Sequence, residues 1–562
     1  MPTAQGNLAG QPAGVQAGTN VARFLPQRAR EAPERAAVID ANDQRVTFAE
    51  LEAQSNAIAR ALKERGVTRG ARVSLFVRPG IELIAITYAL FKLGAVPVLI
   101  DPGMGRKALL SCIERMQPEV LIGVPRAHLA RLLFPGAFRS VRLAISVGPR
   151  IPRVHASLQK IVSGASEEPI CAKTASDDPA AILFTSGSTG PPKGVLYTHG
   201  MFDAQVRALG KLYDFQEGEV DLAGLPLFAL FNVAFGMTSV FPDLDPSRPA
   251  TCDPETIVSA IERHGVTTSF GSPAIWRRIV PWFEQDEGRR KGFTKLARVL
   301  IAGAPVPPSL VAGLRAVLAP GGDVHTPYGA TESLPVSSIS GAEIESVRDK
   351  VEFGAGSCVG RIAPDIELRL IRIDDSPIPR WSDELEVPEG EIGEVCVRGP
   401  VVTQVYAEAP DHTALAKIES AEPGTPLWHR IGDLGRFDAE GRLWLVGRKG
   451  HRLETARGMR PPVPVENAMN VHPRVHRTAL VGAGPSGQEK PVLVVEPNAG
   501  ELPRTEAETD TFIAELVSLA RKSPVTADLG TFLFKEHFPV DVRHNAKIHR
   551  DELKRWAEER VS

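Results

Sequence analysis

The stretch that most constrains this chain is an apolar run that ends abruptly in a loop of small and hydroxylated residues. Residues 180–184 are apolar and fit a buried strand. From Thr185 to Gly194 every residue is Gly, Ser, Thr, Pro or Lys. Glycines let backbone N–H groups converge on an anion, hydroxyls add donors, and Lys193 supplies positive charge. The pattern predicts a phosphate-binding loop rather than a flexible linker, because a linker rarely follows a buried strand so abruptly.

Two common glycine motifs are excluded. The loop is not a Walker A motif, because Pro192 stands five residues after Gly187, where the glycine of the Gly-Lys-Ser/Thr run would be required. A second run, Gly482–Gly487, fits the G-x-G-x-x-G pattern, but Pro485 and another strand-like run follow instead of a helix. The sequence therefore predicts a hairpin turn there and no dinucleotide site.

Alternating helical and strand-like segments run through most of the chain. The spacing predicts helices over Phe48–Glu64 and Ile81–Leu93, and strands over Arg72–Val77 and Val96–Ile100. Such alternation favours an α/β fold with an open, mainly parallel sheet and helices on both faces. From Val359 shorter strands with Gly/Pro turns predict a β-rich subdomain, split from what precedes it after Glu332.

Length and a composition change suggest the domain boundaries. A chain of 562 residues exceeds the size at which single cores stop growing, about 250–300 residues. We predict that residues 1–20 form a disordered lead-in and that residues 21–447 form a large N-terminal domain. Residues 448–562 are predicted to form a small, mobile α+β C-terminal domain. The boundary is placed at the charged, glycine-bearing segment Gly447–Glu454.

Composition excludes several partner classes. The net charge of −2 argues against nucleic-acid binding. The most apolar stretch, Ile81 to Ile100, contains Glu82 and Lys92, so it predicts a core helix and a strand, and no transmembrane segment is expected. The five cysteines are scattered without metal or redox spacing, which favours reduced thiols and a cytoplasmic location.

The order of residues in the loop, and a second motif, indicate a family. Thr185–Gly194 resembles the AMP signature of the adenylate-forming superfamily of acyl-CoA synthetases, peptide-synthetase adenylation domains and luciferases. Tyr328-Gly-Ala-Thr-Glu332 resembles the Tyr-Gly-x-Thr-Glu motif of the same superfamily. The resemblance implies ATP and Mg²⁺ as cofactors. It assigns nucleotide binding to Thr185, Ser186, Gly187, Ser188, Thr189, Gly190, Lys193, Gly303, Ala304, Pro305, Tyr328, Gly329, Asp433 and Arg448.

The resemblance also implies catalytic residues. Thr331 would contact the α-phosphate and Glu332 would hold Mg²⁺, and an oxygen ligand suits this hard cation. Lys547, in the run His544-Asn-Ala-Lys-Ile-His-Arg550, matches the final lysine segment and would meet the substrate carboxylate and the α-phosphate. A lysine near a chain end is ordinarily solvated, so this assignment depends on the resemblance.

Two departures point to a subgroup. Ala229 stands where many acyl-CoA synthetases have a histidine or an aromatic residue, and the consecutive prolines Pro461 and Pro462 stiffen the loop that usually meets the pantetheine arm. The whole pattern looks closest to the β-lactone synthetases of bacterial long-chain olefin biosynthesis. These convert a 2-alkyl-3-hydroxyalkanoic acid and ATP into a β-lactone, AMP and pyrophosphate. The resemblance also implies a multienzyme complex with other olefin-pathway enzymes.

The resemblance predicts an apolar pocket for long alkyl chains, lined by Phe228, Ala229, Phe231, Asn232, Phe235 and Met237. The base that would activate the 3-hydroxyl is not evident. His451, His544 and His549 are candidates, although each fits a surface histidine as well. Two alternatives stay open, a medium- or long-chain acyl-CoA ligase and a catalytically silent scaffold. The second is disfavoured because the sequence retains Lys193, Glu332, Asp433 and Lys547.

Overall fold

A computed structural model describes residues 19–149, 151–185, 192–286, 288–289, 292–540 and 547–561. The strands are β1 (Ala36–Ile39), β2 (Arg45–Thr47), β3 (Arg72–Phe76), β4 (Val96–Leu99), β5 (Val120–Gly123), β6 (Leu143–Ser146), β7 (Ala156–Ser157), β8 (Pro179–Thr185), β9 (Lys193–Thr198), β10 (Val220–Leu222), β11 (Thr238–Val240), β12 (Thr268–Gly271), β13 (Arg298–Ile301), β14 (Asp323–Ala330), β15 (Ser333–Ser340), β16 (Ser357–Ile362), β17 (Glu367–Ile371), β18 (Gly393–Arg398), β19 (Tyr406–Ala407), β20 (Lys417–Ile418), β21 (Trp428–Phe437), β22 (Leu443–Arg448), β23 (Leu453–Thr455), β24 (Gly458–Arg460), β25 (Val475–Ala483), β26 (Lys490–Pro497) and β27 (Phe532–Phe534).

The helices alternate with these strands through the first half of the chain. They are α1 (Phe24–Glu31), α2 (Phe48–Glu64), α3 (Ile81–Leu93), α4 (Arg106–Met116), α5 (Pro125–Leu133), α6 (Leu158–Val162), α7 (His199–Tyr213), α8 (Ala229–Phe235), α9 (Pro254–His264), α10 (Pro273–Glu284), α11 (Pro308–Arg315), α12 (Gly341–Ser346), α13 (Arg348–Glu352), α14 (Pro410–Ala416), α15 (Pro462–Met469), α16 (Glu506–Ala520) and α17 (Arg550–Val561). Both predicted helices, α2 and α3, have the predicted bounds.

Local sequence explains these two helices. Thr47 caps α2 and forms a capping box with Glu50, and the apolar positions of α2 face the core. Helix α3 is apolar on all sides and fully buried, apart from its first turn, and ends at Gly94 in the left-handed region. No described helix has both the length and the apolar character that crossing a membrane requires.

Two large sheets carry the candidate site. One has the order β17-β18-β21-β22-β16-β15-β14-β13-β12-β10-β11-β1-β2, with β20 paired to β21. The other has the order β19-β9-β8-β4-β3-β5-β6-β7. The run β11, β10, β12, β13, β14 is parallel, so the carboxyl ends of these strands meet at one edge. The predicted α/β fold class is confirmed.

The β-rich part differs from the prediction in its connection. Its strands are antiparallel, as the short strands and turns suggest. However, β16 pairs with β15, with Ser337 opposite Ile362, so these strands continue the first large sheet. The change to short strands and turns was visible in the sequence. The pairing of β15 with β16 joins distant segments of the chain, so the sequence pattern did not indicate it.

The C-terminal segment forms a separate three-stranded sheet, in the order β25-β26-β27, with its own apolar clusters. Strands β25 and β26 are antiparallel, with Gly482 opposite Pro491. The Gly482–Gly487 run is therefore the hairpin turn that the sequence predicts. The division at residue 447 stays a prediction.

Candidate active site

The Tyr-Gly-x-Thr-Glu motif forms the connection of the β14–β15 hairpin. Tyr328 and Gly329 end β14, and Thr331 and Glu332 form the turn before Ser333. A Cβ atom on residue 329 would lie 2.5 Å from the carbonyl oxygen of Ser333, so only glycine fits this close approach. The hairpin therefore holds the functional side chains at the carboxyl edge of the parallel strands.

Tyr328, Asp433 and Arg448 form a hydrogen-bonded group. Tyr328 donates its hydroxyl to Asp433 Oδ2 at 2.6 Å, and Arg448 Nη1 donates to Asp433 Oδ1 at 2.9 Å. Asp433 and Arg448 are register partners on β21 and β22. Burial, and then the Asp433 charge, raise the pKa of Tyr328, so the phenol stays neutral. The Asp433 carboxylate, the Tyr328 ring and the Arg448 guanidinium therefore lie side by side.

Glu332 is contacted from the second sheet. Tyr406 donates its hydroxyl to Glu332 Oε1 at 2.7 Å. Strand β19 places Tyr406 opposite Val195 of β9, and the Lys193 Nζ atom lies 5.3 Å from the centroid of the Tyr406 ring. Lys193, Tyr406 and Glu332 therefore form one cluster, although they come from two sheets. Lys193 follows the phosphate-loop residues in sequence, so the cluster marks the exit of that loop.

Five of the predicted phosphate-loop residues, Ser186, Gly187, Ser188, Thr189 and Gly190, lie outside the described residues, and so does the side chain of Thr185. The backbone of Thr185 ends β8, opposite Lys193 at the start of β9. The loop therefore connects two antiparallel strands.

The turn at Gly303–Pro305, which the resemblance assigns to nucleotide binding, lies at the same edge of the first sheet. Gly303 follows β13 with φ at +94°, a conformation that favours glycine. Gly303 and Pro305 are exposed and Ala304 is half-buried. Since β13 and β14 are parallel neighbours, this turn and the end of β14 lie at one edge of the sheet. The structure thus brings Gly303, Ala304 and Pro305 to the edge where Tyr328 lies.

Glu332 has the chemistry of a magnesium ligand. Its carboxylate is partly exposed, and only Oε1 accepts a hydrogen bond from a described residue. The described residues contain no group of three or more His, Cys, Asp or Glu side chains that could hold a metal ion. One carboxylate with open positions suits Mg²⁺, which commonly binds one or two carboxylates together with substrate phosphates and water.

Sequence reasoning missed three residues at this site. Tyr197 donates its hydroxyl to the carbonyl oxygen of Thr331, which fixes the turn before Glu332. Tyr406 bonds to Glu332 as described above. Lys417 is buried, donates to the Thr403 carbonyl, and its Nζ atom lies 6.0 Å from the centroid of the Tyr406 ring. Each contact is long-range or lies between irregular segments, so no spacing in the sequence indicates it.

The environment of Lys417 is unusual for a lysine. Burial lowers its pKa to about 7, although the negative charge of Glu332 opposes this shift. The neighbouring His429 has a pKa far below its ordinary value because of burial and then the charge of Lys417. The buried amine of Lys417 therefore lies near the Tyr406 ring, and its register partner His429 is a neutral imidazole.

A narrow cavity of about 20 Å³ lies between α7, α8 and the first sheet. Its lining includes five of the six predicted pocket residues, Phe228, Phe231, Asn232, Phe235 and Met237. Ala229 is buried in the apolar core and does not line the cavity. The assignment of Ala229 to the acyl pocket therefore stays a prediction.

Ring contacts connect the cavity to the hairpin. The centroids of Phe228 and Phe231 are 5.9 Å apart, those of Phe231 and Phe202 5.8 Å, and those of Phe202 and Tyr197 5.2 Å. Tyr197 in turn bonds to the backbone of Thr331. The aromatic wall of the cavity is therefore continuous with the turn that carries Glu332.

The segment after β22 contains a correction. Pro461 and Pro462 do not stiffen a loop: Pro461 is the N-cap and Pro462 the first residue of α15, where proline is favoured. Pro462 packs on Gly447, where a Cβ atom would lie 2.8 Å from its Cδ. The prolines therefore begin α15 of the C-terminal segment against the last residues of β22.

The three histidine candidates differ in their surroundings. His451 is half-buried rather than a surface residue, and burial, followed by the charges of Arg550 and Arg448, lowers its pKa to about 3. His549 is exposed, and His544 lies outside the described residues. His451 is therefore neutral at neutral pH.

Lys547 is half-buried at the end of the chain, shortly before α17. Three residues later, Arg550 forms an ion pair with Glu466 of α15, with Nη1 to Oε1 at 2.6 Å. The charge of Arg550 also acts on His451. The lysine segment is thus tied to the helix that follows the predicted boundary, and the role of Lys547 stays a prediction.

Comparisons with known proteins identify the family of this chain. Residues 25–407 match the AMP-binding enzyme family. The chain is 46% identical over 551 residues to an olefin beta-lactone synthetase of Xanthomonas campestris pv. campestris, covering 96% of this chain and 97% of that protein. It is 44% identical to an olefin beta-lactone synthetase of Stenotrophomonas maltophilia, covering 96% and 98% of the two chains.

Solved structures share the fold. The anthranilate CoA ligase AuaEII, in complex with anthranoyl-AMP, superposes with a TM-score of 0.78 at 20% identity, covering 97% of this chain and 99% of that chain. ATP-bound MatB from Rhodopseudomonas palustris superposes with a TM-score of 0.76 at 21% identity, covering 97% and 100%. At these identities the likeness concerns the fold alone.

Proposed function

The chain belongs to the AMP-binding enzyme family and, within it, to the olefin β-lactone synthetases, and from this premise we propose how its residues perform the reaction. The substrate is a long-chain 2-alkyl-3-hydroxyalkanoic acid, and the products are a β-lactone, AMP and pyrophosphate. The observation that carries the proposal is the near-complete coverage of the beta-lactone synthetases at 46% identity. The cluster of Lys193, Tyr406 and Glu332 beside Asp433 and Arg448 supports it.

In the first half-reaction the carboxylate of the acid attacks the α-phosphorus of ATP. A P–O bond to the β-phosphate breaks, and pyrophosphate leaves. Asp433 would accept the ribose hydroxyls, because a carboxylate can accept two O–H donors, and Lys193 and Lys547 would offset phosphate charge. Glu332, held by Tyr406, would be the protein ligand of Mg²⁺, which when bound supplies further positive charge to the phosphates.

In the second half-reaction the 3-hydroxyl oxygen attacks the acyl carbon of the adenylate. The hydroxyl loses its proton, the acyl–oxygen bond to AMP breaks, and a four-membered ring closes. Because the nucleophile belongs to the same molecule, proximity can contribute up to about 7–11 kcal/mol in well-oriented cases. Ring strain opposes closure, so the apolar cavity beside the hairpin would have to exclude water and align the hydroxyl.

We also propose a cytoplasmic location for the enzyme and its assembly with other enzymes. All five cysteines are free, which suits a reducing cytoplasm. A complex with other enzymes of olefin synthesis is proposed from the family alone.

The decisive experiment uses isotope labelling to follow the carboxyl oxygen atoms of the substrate. The protein is incubated with ATP, Mg²⁺ and a 2-alkyl-3-hydroxy acid labelled with ¹⁸O in the carboxyl group, with and without CoA. We expect one ¹⁸O atom in AMP and β-lactone in both reactions. A matched acid without the 3-hydroxyl should be adenylated without forming a lactone. Strict CoA dependence with a thioester product would instead identify an acyl-CoA ligase, and no AMP with any acid would indicate a scaffold.

A further inference from the structure

A row of polar side chains crosses the floor of the aromatic cavity. Asp221 on β10 is the register partner of Ser239 on β11 and of Thr268 on β12. Register partners on neighbouring parallel strands face the same side of a sheet, and both Asp221 and Thr268 line the cavity. All three are at most 4% exposed. The aromatic lining therefore ends in a buried polar strip.

Asn232 of α8 covers this strip from above. Its Nδ2 group donates to Asp221 Oδ2 at 2.8 Å and to Ser239 Oγ at 3.0 Å. The backbone N–H of Phe270 donates to Asp221 Oδ1 at 3.1 Å. Burial raises the pKa of Asp221 to about 7. Among the described residues, no cationic side chain forms an ion pair with its carboxyl group.

Thr268 is the incomplete member of the row. It is 1% exposed, and its hydroxyl has no hydrogen-bond partner among the described residues. A buried hydroxyl without a partner costs about 1–3 kcal/mol. Thr268 lines a cavity of about 20 Å³, which is enough space for one water molecule. An oxygen atom bound in this cavity would supply the partner that the hydroxyl lacks.

The side chains of this polar row favour a neutral hydroxyl group as the bound ligand. An anion would meet the Asp221 carboxyl and the nearby Glu219, and Arg298 is already paired with Glu219 at 2.6 Å. A metal ion would need more carboxylate or imidazole ligands than the described residues bring together anywhere. A hydroxyl can donate to Asp221 and accept from Thr268, so it satisfies both groups.

The row lies deep in the cavity. Thr268 is in register with Arg298, and β13 runs three residues further to Ile301 before the turn at the nucleotide edge. At about 3.3 Å per residue, this is roughly 10 Å. Phe228 and Phe270 also line the cavity, and their tilted rings are in contact, with centroids 4.0 Å apart. Phe270 follows Thr268 by two residues on β12, so it lies between Thr268 and the carboxyl end of that strand.

We propose that Asp221, Asn232 and Thr268 form a subsite that binds one hydroxyl oxygen at the inner end of the acyl pocket and thereby limits the length of the alkyl chain that the pocket accepts. The length limit rests on the proposed function, whereas the oxygen subsite does not. The oxygen comes from water in the free protein, or from the substrate when an acyl chain carries a hydroxyl at that depth.

The subsite is tested without turnover by high-resolution crystallography of the wild type and of Thr268→Val. We expect an ordered oxygen within hydrogen-bond distance of Asp221 and Thr268 in the wild type and none in the variant. An empty cavity in the wild type, or an oxygen that stays in place in Thr268→Val, would overturn the subsite.

The length limit is tested by kcat/KM for AMP release over 3-hydroxy acids of increasing chain length. In Thr268→Val we expect activity to extend to longer chains, with kcat/KM raised about fourfold for each further methylene, because the methylene then meets an apolar wall. Thr268→Ser keeps the hydroxyl and should keep the wild-type profile. An unchanged profile in Thr268→Val would overturn the length limit.

Two comparisons complete this design. Thr267→Val is the matched control, since Thr267 binds the backbone of Val220 and does not line the cavity, so its profile should stay that of the wild type. Matched acids that end in CH₃ or CH₂OH separate the two sources of oxygen. If kcat/KM at the limiting length is higher for the hydroxyl-ended acid, and this preference is lost in Thr268→Val, the oxygen comes from the substrate. If the two acids react at equal rates, the oxygen comes from water. If no acid is adenylated, the proposed function fails and the crystallographic result still decides the subsite.

Discussion

The hydroxyl of Tyr406 lies 2.7 Å from Oε1 of Glu332, across 74 positions of the chain. Tyr406 belongs to the second sheet and Glu332 to the hairpin of the first. This contact orients the carboxylate that we assign to Mg²⁺ and links it to Lys193 through the face of the same ring. The residue that positions a proposed metal ligand is thus supplied by a different sheet.

Tyr406→Phe should raise the Mg²⁺ concentration needed for half-maximal AMP formation by about tenfold or more, because partners of metal ligands commonly contribute this much. The measurement is a Mg²⁺ titration at saturating ATP and acid. Tyr213→Phe is the control, since Tyr213 bonds to Ser338 at 3.0 Å, away from Glu332. An unchanged Mg²⁺ requirement in Tyr406→Phe would contradict the role of Tyr406 in orienting Glu332 as a metal ligand.

Asp433→Asn should raise KM for ATP by about tenfold or more and leave KM for the acid nearly unchanged, because hydrogen bonds to a charged group contribute about 1.5–3 kcal/mol. Steady-state kinetics with each substrate varied in turn measures this. Asp438→Asn is the matched control: Asp438 pairs with Arg442 at 2.7 Å on the turn between the same two strands, away from Tyr328. Equal effects of the two variants would contradict the assignment of Asp433 to the ribose.

Lys547→Ala should abolish pyrophosphate release, because no other described residue is assigned the charge on the substrate carboxylate. The assay couples pyrophosphate release to a phosphatase, and circular dichroism checks the fold. Lys554→Ala removes another lysine of the C-terminal segment, one that pairs with Glu489, and should keep activity. Turnover that survives in Lys547→Ala would place the catalytic lysine elsewhere.

Asp221 predicts a pH-dependent stability. Its pKa is raised from 3.8 to about 7 in the folded protein, so between these values the folded state holds a proton that the unfolded state releases. The free energy of unfolding contributed by this group therefore falls as pH rises through that window and is lost above about pH 7. In Asp221→Asn this pH dependence of the free energy of unfolding should be absent, although the variant loses one hydrogen bond at every pH.

Urea unfolding of the wild type and Asp221→Asn at pH 5 and pH 8 measures this effect. The difference between the two proteins should shift in favour of the variant at pH 8. For Asp438→Asn the difference should stay constant, because hydrogen bonds hold the pKa of Asp438 at about 2 and its charge does not change over this range. A constant difference for Asp221→Asn as well would contradict the raised pKa.

Sequence alone determined much of the local structure. The capping box at Thr47 and the apolar periodicity that follows specify α2 within a few residues of chain, so its bounds were predictable. The Tyr328–Glu332 motif could be recognised because its function requires adjacent residues. The hairpin nature of Gly482–Gly487 followed from Pro485 and the strand after it.

Only the tertiary structure decided the contacts between distant segments. The bond from Tyr406 to Glu332, the burial of Lys417 beneath that ring, and the row formed by Ser239, Asp221 and Thr268 each join residues on different strands. Such neighbours depend on sheet order and register, which no spacing along one chain encodes. For the same reason the burial of Ala229 in the core, beside a cavity that its neighbours on α8 line, is visible only in the tertiary structure.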